Sequence, residues 1–333
     1  GQYQVLINHL LHRLGIGNVT TLSLSANNSY AGLGTAFTLR AWQALIVADV
    51  ISEIYSSLLV LCRDKEEALQ VYAEGCDLLV EALAQGSWAR LRQTMSRVAQ
   101  QLAALKKIGT LDSVPKVALL GEIYVRSDSF SRQQLVEYFA KEGIITKVAP
   151  INEWVYYCDY LLQNNLLPSS SPLSLRLQNY LQQPVKKWVE KEIKNTLSAS
   201  GLCQHQLTDV RHLMEAGKRL INPALTGEAI LTIAGALTEL IDEVSGAIAI
   251  GPFGCMPNRL AEALAGNLLE EEKLRQTNNS SLVQSALKQN PHLPFIAIES
   301  DGNVFPQVVE ARLESFVLQV KRLHNTIQKV KHH

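Results

Sequence analysis

Cys255 stands where a thiol can do chemistry. It belongs to Gly246-Ala-Ile-Ala-Ile-Gly-Pro-Phe-Gly-Cys-Met-Pro-Asn-Arg259, in which a short apolar run closes at Gly251-Pro252 and a helical pattern resumes just past the cysteine. The run reads as a buried strand and the Gly/Pro turn as a strand-to-helix junction, the place where open α/β sheets bind ligands. At a helix N-terminus, backbone N–H groups and the helix dipole favour a thiolate, which can act as a nucleophile or a metal ligand. The competing reading is a small hydrophobe packed in a turn, since many free cysteines do no more than pack. Carboxylates recur at equivalent places. Glu122 and Tyr124 follow the apolar run 116–120, Glu228 opens the helical pattern at Gly227-Glu228-Ala229, and Glu299 and Asp301 follow the run 294–298. In a parallel sheet these ends share one edge, which would gather Glu122, Tyr124, Glu228, Glu299 and Asp301 into a ligand pocket around the Cys255 thiol. Taken singly, each acid reads as a helix cap or a surface charge.

The elements that must position these residues alternate. Lys116–Leu120, Ile144–Val148, Gly246–Ile250 and Pro294–Ile298 read as strands, expected in one sheet. Helices are expected over about 131–142, 152–164, 172–198, 206–216, 227–244, 257–273 and 306–330 from their apolar spacing. The Ser169-Ser170-Ser171-Pro172 cluster separates two of them. That rhythm predicts an α/β class: an open parallel-sheet, Rossmann-like domain with helices on both faces, over 113–333. A smaller, mostly helical α/β domain is expected over 1–112. It has helical spacing at 2–14, 36–62, 65–84 and 87–107, a β-rich run at Val19–Leu24 and a turn-like Ser25–Ser29. The boundary falls at Gly109–Pro115.

Composition narrows the function classes. Lys+Arg and Asp+Glu number 31 each among 333 residues, so net charge offers nothing to a nucleic acid or an anionic membrane. No apolar stretch reads as a membrane span and no signal peptide is evident. The five cysteines, 62, 76, 158, 203 and 255, form no CxxC pair, which fits a reducing, cytoplasmic setting rather than a disulfide framework. The sequons at Asn27 and Asn279 then carry no meaning. Gly1-Gln2-Tyr3 reads as an excised start and His332-His333 as the stub of a tag. His205, His212, His292 and His324 are not spaced like a zinc site. Lys186, Lys187, Glu190, Lys191 and Glu192 read as a salt-bridged helix face, and Trp154 with Tyr156, Tyr157 and Tyr160 as a packed aromatic face. Walker, GxGxxG, GxSxG and HExxH motifs are absent from the sequence.

Several blocks taken together resemble a known family. Gly121-Glu-Ile-Tyr-Val-Arg126, Pro150-Ile-Asn-Glu-Trp154, Gly227-Glu-Ala229, Gly251-Pro-Phe-Gly-Cys-Met-Pro257, Glu299-Ser-Asp-Gly-Asn303, Pro306-Gln307 and Glu310–Phe316 are similar, in order, to 2-hydroxyacyl-CoA dehydratase activase-related proteins. In large members this region follows ATP-dependent activase domains and is similar in fold to dehydratase iron–sulfur subunits. The resemblance implies a [4Fe–4S] cluster in the intact protein, with Cys255 as its one recognisable ligand here. It implies ATP-driven, low-potential electron transfer, activase domains as partners in the same or another chain, and an acyl-CoA as a candidate substrate. Relatives carry a cysteine-rich segment ending in an Arg-Phe-Gly-Gln-Tyr-like sequence, and this chain begins at Gly1-Gln2-Tyr3. The fragment alone is then expected to be inactive, with an absent or incomplete cluster. The alternative is a non-catalytic module that docks activase ATPase domains onto a partner and binds no cluster.

Overall fold

Four apolar runs become the four strands of one sheet. β1 (Lys116–Gly121), β2 (Ile145–Val148), β3 (Gly246–Pro252) and β4 (Phe295–Ser300) lie in the order β2-β1-β3-β4, and every pairing is parallel. Leu119 stands opposite Val148 on one side and Ile248 on the other, and Ile250 stands opposite Ile298. The structure is a computed structural model that describes residues 2–19, 21, 35–166, 173–277 and 280–331.

Alternation along the strands sends side chains to two sides of the sheet. Val117, Leu119, Ile248, Ile250 and Ile298 share one core with Leu135 and Phe139 of α6 (Leu135–Lys141) and Leu313, Phe316, Val317 and Val320 of α13 (Gln307–Lys331). The opposite side carries Ala118, Leu120, Ala247 and Ala249, all buried. It is covered by α10 (Ala229–Glu239) and α11 (Met256–Gln276). Small residues let these helices come close: a β-carbon on Gly235 of α10 would stand 3.1 Å from the Leu120 side chain. The class is therefore α/β, with a parallel sheet between helices.

The chain forms two units, Gly1–Ala44 and Leu45–His333. In the first, the Thr21 hydroxyl donates to Asn8 of α1 (Gln2–Arg13) at 2.6 Å. The expected strand at 19–24 and turn at 25–29 fall largely on residues outside those described, as does the Ser169–Pro172 break. The second unit holds the sheet together with most of α2 (Thr35–Leu61) and all of α3 (Lys65–Gln85), α4 (Trp88–Ala104), α7 (Ile151–Gln163), α8 (Leu173–Ser198) and α9 (Val210–Gly217). The Asp64 side chain caps α3 and Ser87 caps α4, as short polar side chains do at helix starts.

Several expectations need correction. The helix expected from about 131 begins at Leu135, because Asp128 accepts from Ser131 and holds 129–134 in turns. The helix expected to reach 244 stops at Glu239, where Leu240 pairs with Val244 in an isolated bridge. Two helices were not anticipated, α5 (Ile123–Ser127), directly after β1, and α12 (Ser281–Gln289), capped by Ser280. One stretch is long and apolar enough to cross a bilayer by length and composition, contrary to expectation: Ala36–Leu61 of α2, with mean hydropathy 1.9. Most of its apolar window, 61%, is buried inside the protein, and its acids are engaged there. Asp49 accepts from the N-terminus of α7 and Glu53 from the backbone of Gln204.

Candidate functional site

Strand order reverses between β1 and β3, since the chain leaves β1 toward β2 on one side and later returns to β3 on the other. In an open parallel sheet, such a switch point leaves a crevice beyond the strands' carboxyl ends. The chain turns sharply on the β1 side of it. Gly121 has φ +103°, and the Glu122 N–H donates to Ile250 O at 2.8 Å, which pulls the turn against β3. Glu122 then caps α5, its carboxylate accepting from Val125 N at 2.8 Å. Glu228, just before α10, accepts from Ile123 N at 3.0 Å. The Gly227 N–H donates to the Tyr157 hydroxyl at 2.8 Å.

On the β3 side, Phe253 and Gly254 make the turn and Cys255 is the residue that opens α11. Glu299, from the end of β4, accepts from Gly254 N at 3.0 Å and from Arg259 at 2.6 Å. The backbone N–H of Asn258 points at the Cys255 sulfur, and Glu228, Glu122 and Glu299 all act on it electrostatically. Burial is the largest influence on this thiol and the three carboxylates add to it, so its pKa rises despite the Asn258 N–H. The helix N-terminus was expected to favour the thiolate; here loss of solvent and like charge prevail. Asp301 follows β4 in the next loop. It is exposed, and its carboxylate accepts from Asn303 N in its own loop. Tyr124 lies on α5 and is 66% exposed.

A second set of groups beneath the edge escaped the sequence reading. Arg126 is buried, and its guanidinium donates to Gly121 O at 2.8 Å, Pro150 O at 3.2 Å and Glu153 at 3.4 Å. Asp49 receives Ile151 N and Asn152 N, both at 2.9 Å, so the start of α7 is held from two sides. Burial pushes Glu153 up to about 7 and Asp49 up to about 6, against the pull of Arg126 on each. The only sequence signal was that Arg126 and Glu153 fall in two of the blocks that carry the family resemblance.

The raised Glu153 pKa has a measurable consequence. A carboxyl group with a raised folded-state pKa holds its proton in the folded protein at pH values where the unfolded chain has lost it, so stability falls as pH rises through that window. For Glu153 the window runs from 4.5 to about 7. The unfolding free energy of the wild type minus that of Glu153→Gln should therefore decrease from pH 5 to pH 8 in urea titrations. A difference that grows with pH would show that Glu153 is held ionised.

Among the described residues, no group of three or more His, Cys, Asp or Glu is arranged to hold a metal. Cys62 and Cys203 are buried; Cys76 lies on α3 and Cys158 on α7. Burial raises the Cys62, Cys76 and Cys203 thiols. A cluster takes three or four thiolates, so the single thiol at this edge does not fit a whole [4Fe–4S] group. No protein-family model matches the chain, and neither does any curated protein or solved structure.

Proposed function

We propose that this chain is the Cys255-bearing, Rossmann-like part of a 2-hydroxyacyl-CoA dehydratase activase-related protein that serves ATP-driven, low-potential electron transfer. One observation carries the reading: five sequence blocks far apart in the chain are bonded at one end of the sheet, three on the β1 side and two on the β3–β4 side. Arg126 ties Gly121–Arg126 to Pro150–Trp154, Glu228 ties Gly227–Ala229 to Ile123, and Glu299 ties the last block to Gly254. A parallel sheet gathers its strand ends at one edge, and the blocks that carry the resemblance fall at that edge, which supports a common site there. In this reading Cys255 supplies one ligand, and the remaining cluster ligands come from outside this chain's described residues. The three carboxylates would disfavour a bare thiolate and favour one neutralised by a metal.

The competing reading, a docking module without a cluster, draws on the single thiol and its raised pKa. Anaerobic reconstitution of the full-length protein with iron and sulfide separates the two. Iron and a sulfur-to-iron absorption band should appear, and Cys255→Ala should lower the iron content. Alanine at Cys62, Cys76, Cys158 or Cys203 should leave it unchanged. A full-length protein that takes up no iron, or a Cys255→Ala variant that takes up as much as the wild type, would favour the docking module.

A further inference from the structure

The carboxyl edge exposes apolar side chains from three neighbouring loops. Tyr124 and Phe130 follow β1, Phe253 and Met256 follow β3, and Val304 and Val308 follow β4, each between 66% and 78% exposed. Single exposed apolar residues are ordinary, but a contiguous set marks an interaction site. These loops are contiguous. Ser300 donates to Ser131 O at 2.6 Å, Phe253 N to Ser300 O at 3.1 Å and Gly254 N to Glu299 at 3.0 Å.

Charge selects the occupant. Hydrogen bonds from Ser131 and Asn303 keep Asp128 and Asp301 ionised, and Glu122, Glu228 and Glu299 are half-buried between the loops. Two exposed cations lie beside them: Arg259 is engaged by Glu262 and Glu299, and Arg312 stands 4.0 Å from Glu262, so among the described residues Asp128 and Asp301 are left without a cation in contact. Arg126 and Arg132 turn inward to backbone carbonyls. An acidic, apolar face repels anionic lipid and nucleic acid, and it repels a second copy of itself. It suits a partner with the opposite charge pattern.

We propose that this edge is a docking surface for a partner protein that presents lysine or arginine among apolar side chains. The proposal stands on the surface alone and does not require iron at Cys255. Its test uses two labelled peptides with the same leucine and phenylalanine content, one with lysine and arginine at its polar positions and the other with glutamate. The basic peptide should bind, and binding should weaken as ionic strength rises from about 0.1 to about 1 M, which shortens the screening length from about 10 to about 3 Å. The exposed double variant Phe253→Ser/Met256→Ser should lose about tenfold or more in affinity with its circular dichroism unchanged. Asp301→Lys should weaken the basic peptide further.

Equal affinity for the two peptides, or full binding by the double variant, would overturn the proposal. So would preferential binding to vesicles containing phosphatidylserine. Self-association in sedimentation that the double variant abolishes would assign the face to a second copy instead. Iron uptake is read separately, so either idea can fail without the other.

Discussion

Gly121→Ala is expected to destabilise the protein by roughly 2–6 kcal/mol, combining about 1–3 for a non-glycine residue at strained φ with about 1–3 for overpacking. The position has φ +103°, and a β-carbon there would stand 2.1 Å from Ile250 O and 2.6 Å from Ile250 N. Those atoms belong to the adjacent strand, so relief requires β1 and β3 to part at the switch point. Gly254 offers an internal comparison. It also has positive φ, +73°, but a β-carbon there meets nothing within 4 Å, so Gly254→Ala should cost only about 1 kcal/mol. Urea unfolding of the two variants measures the contrast. Equal losses would mean that β1 and β3 do not approach as closely as described.

Arg126→Met is the second large effect, a loss of about 3–5 kcal/mol because one partner of a buried ion pair is removed. The substitution strands the Glu153 carboxylate and removes the guanidinium donor from Gly121 O and from Pro150 O, which keeps the Glu153 N–H. It also removes the charge that most strongly lowers the Glu153 pKa, so Glu153 should protonate more readily and the loss should be smaller at pH 6 than at pH 8. Adding Glu153→Gln to Arg126→Met should restore part of the stability. Chemical denaturation of both variants at the two pH values provides the check. A loss below about 1 kcal/mol, the range of an exposed pair, would show that the pair is solvated.

Both predictions rest on residues that a reading of periodicity treats differently. Gly121 was legible as the end of an apolar run, since a strand that closes on glycine announces a turn. Arg126 and Glu153 were not, because Arg126 lies in a short helix that no apolar pattern announced and Glu153 is a charge three and four residues from the aromatic Tyr156 and Tyr157. Their burial follows from α5 and α7 meeting at the β1 end, which no local pattern encodes. α12 escaped for a related reason. Its nine residues bury Val283 and Ala286 against neighbouring elements, too short a stripe to stand out among the surrounding polar residues.

The sequence by itself determined the four strands and their common parallel sheet. Apolar runs bounded by Gly and Pro are local features, and parallel connections through helices admit few arrangements. Only the tertiary structure decided the rest. The β2-β1-β3-β4 order placed the crevice between β1 and β3, and loop geometry left Asp301 bonded within its own turn and exposed. It also decided which influence on the thiol prevails. The dipole of α11 and the Asn258 N–H are consequences of local helix formation and could be anticipated from residues 251–258. The opposing influences on Cys255 are burial and carboxylates brought from β1, β4 and the start of α10. Desolvation and Coulomb repulsion depend on distances through space, and those distances exist only once the chain has folded.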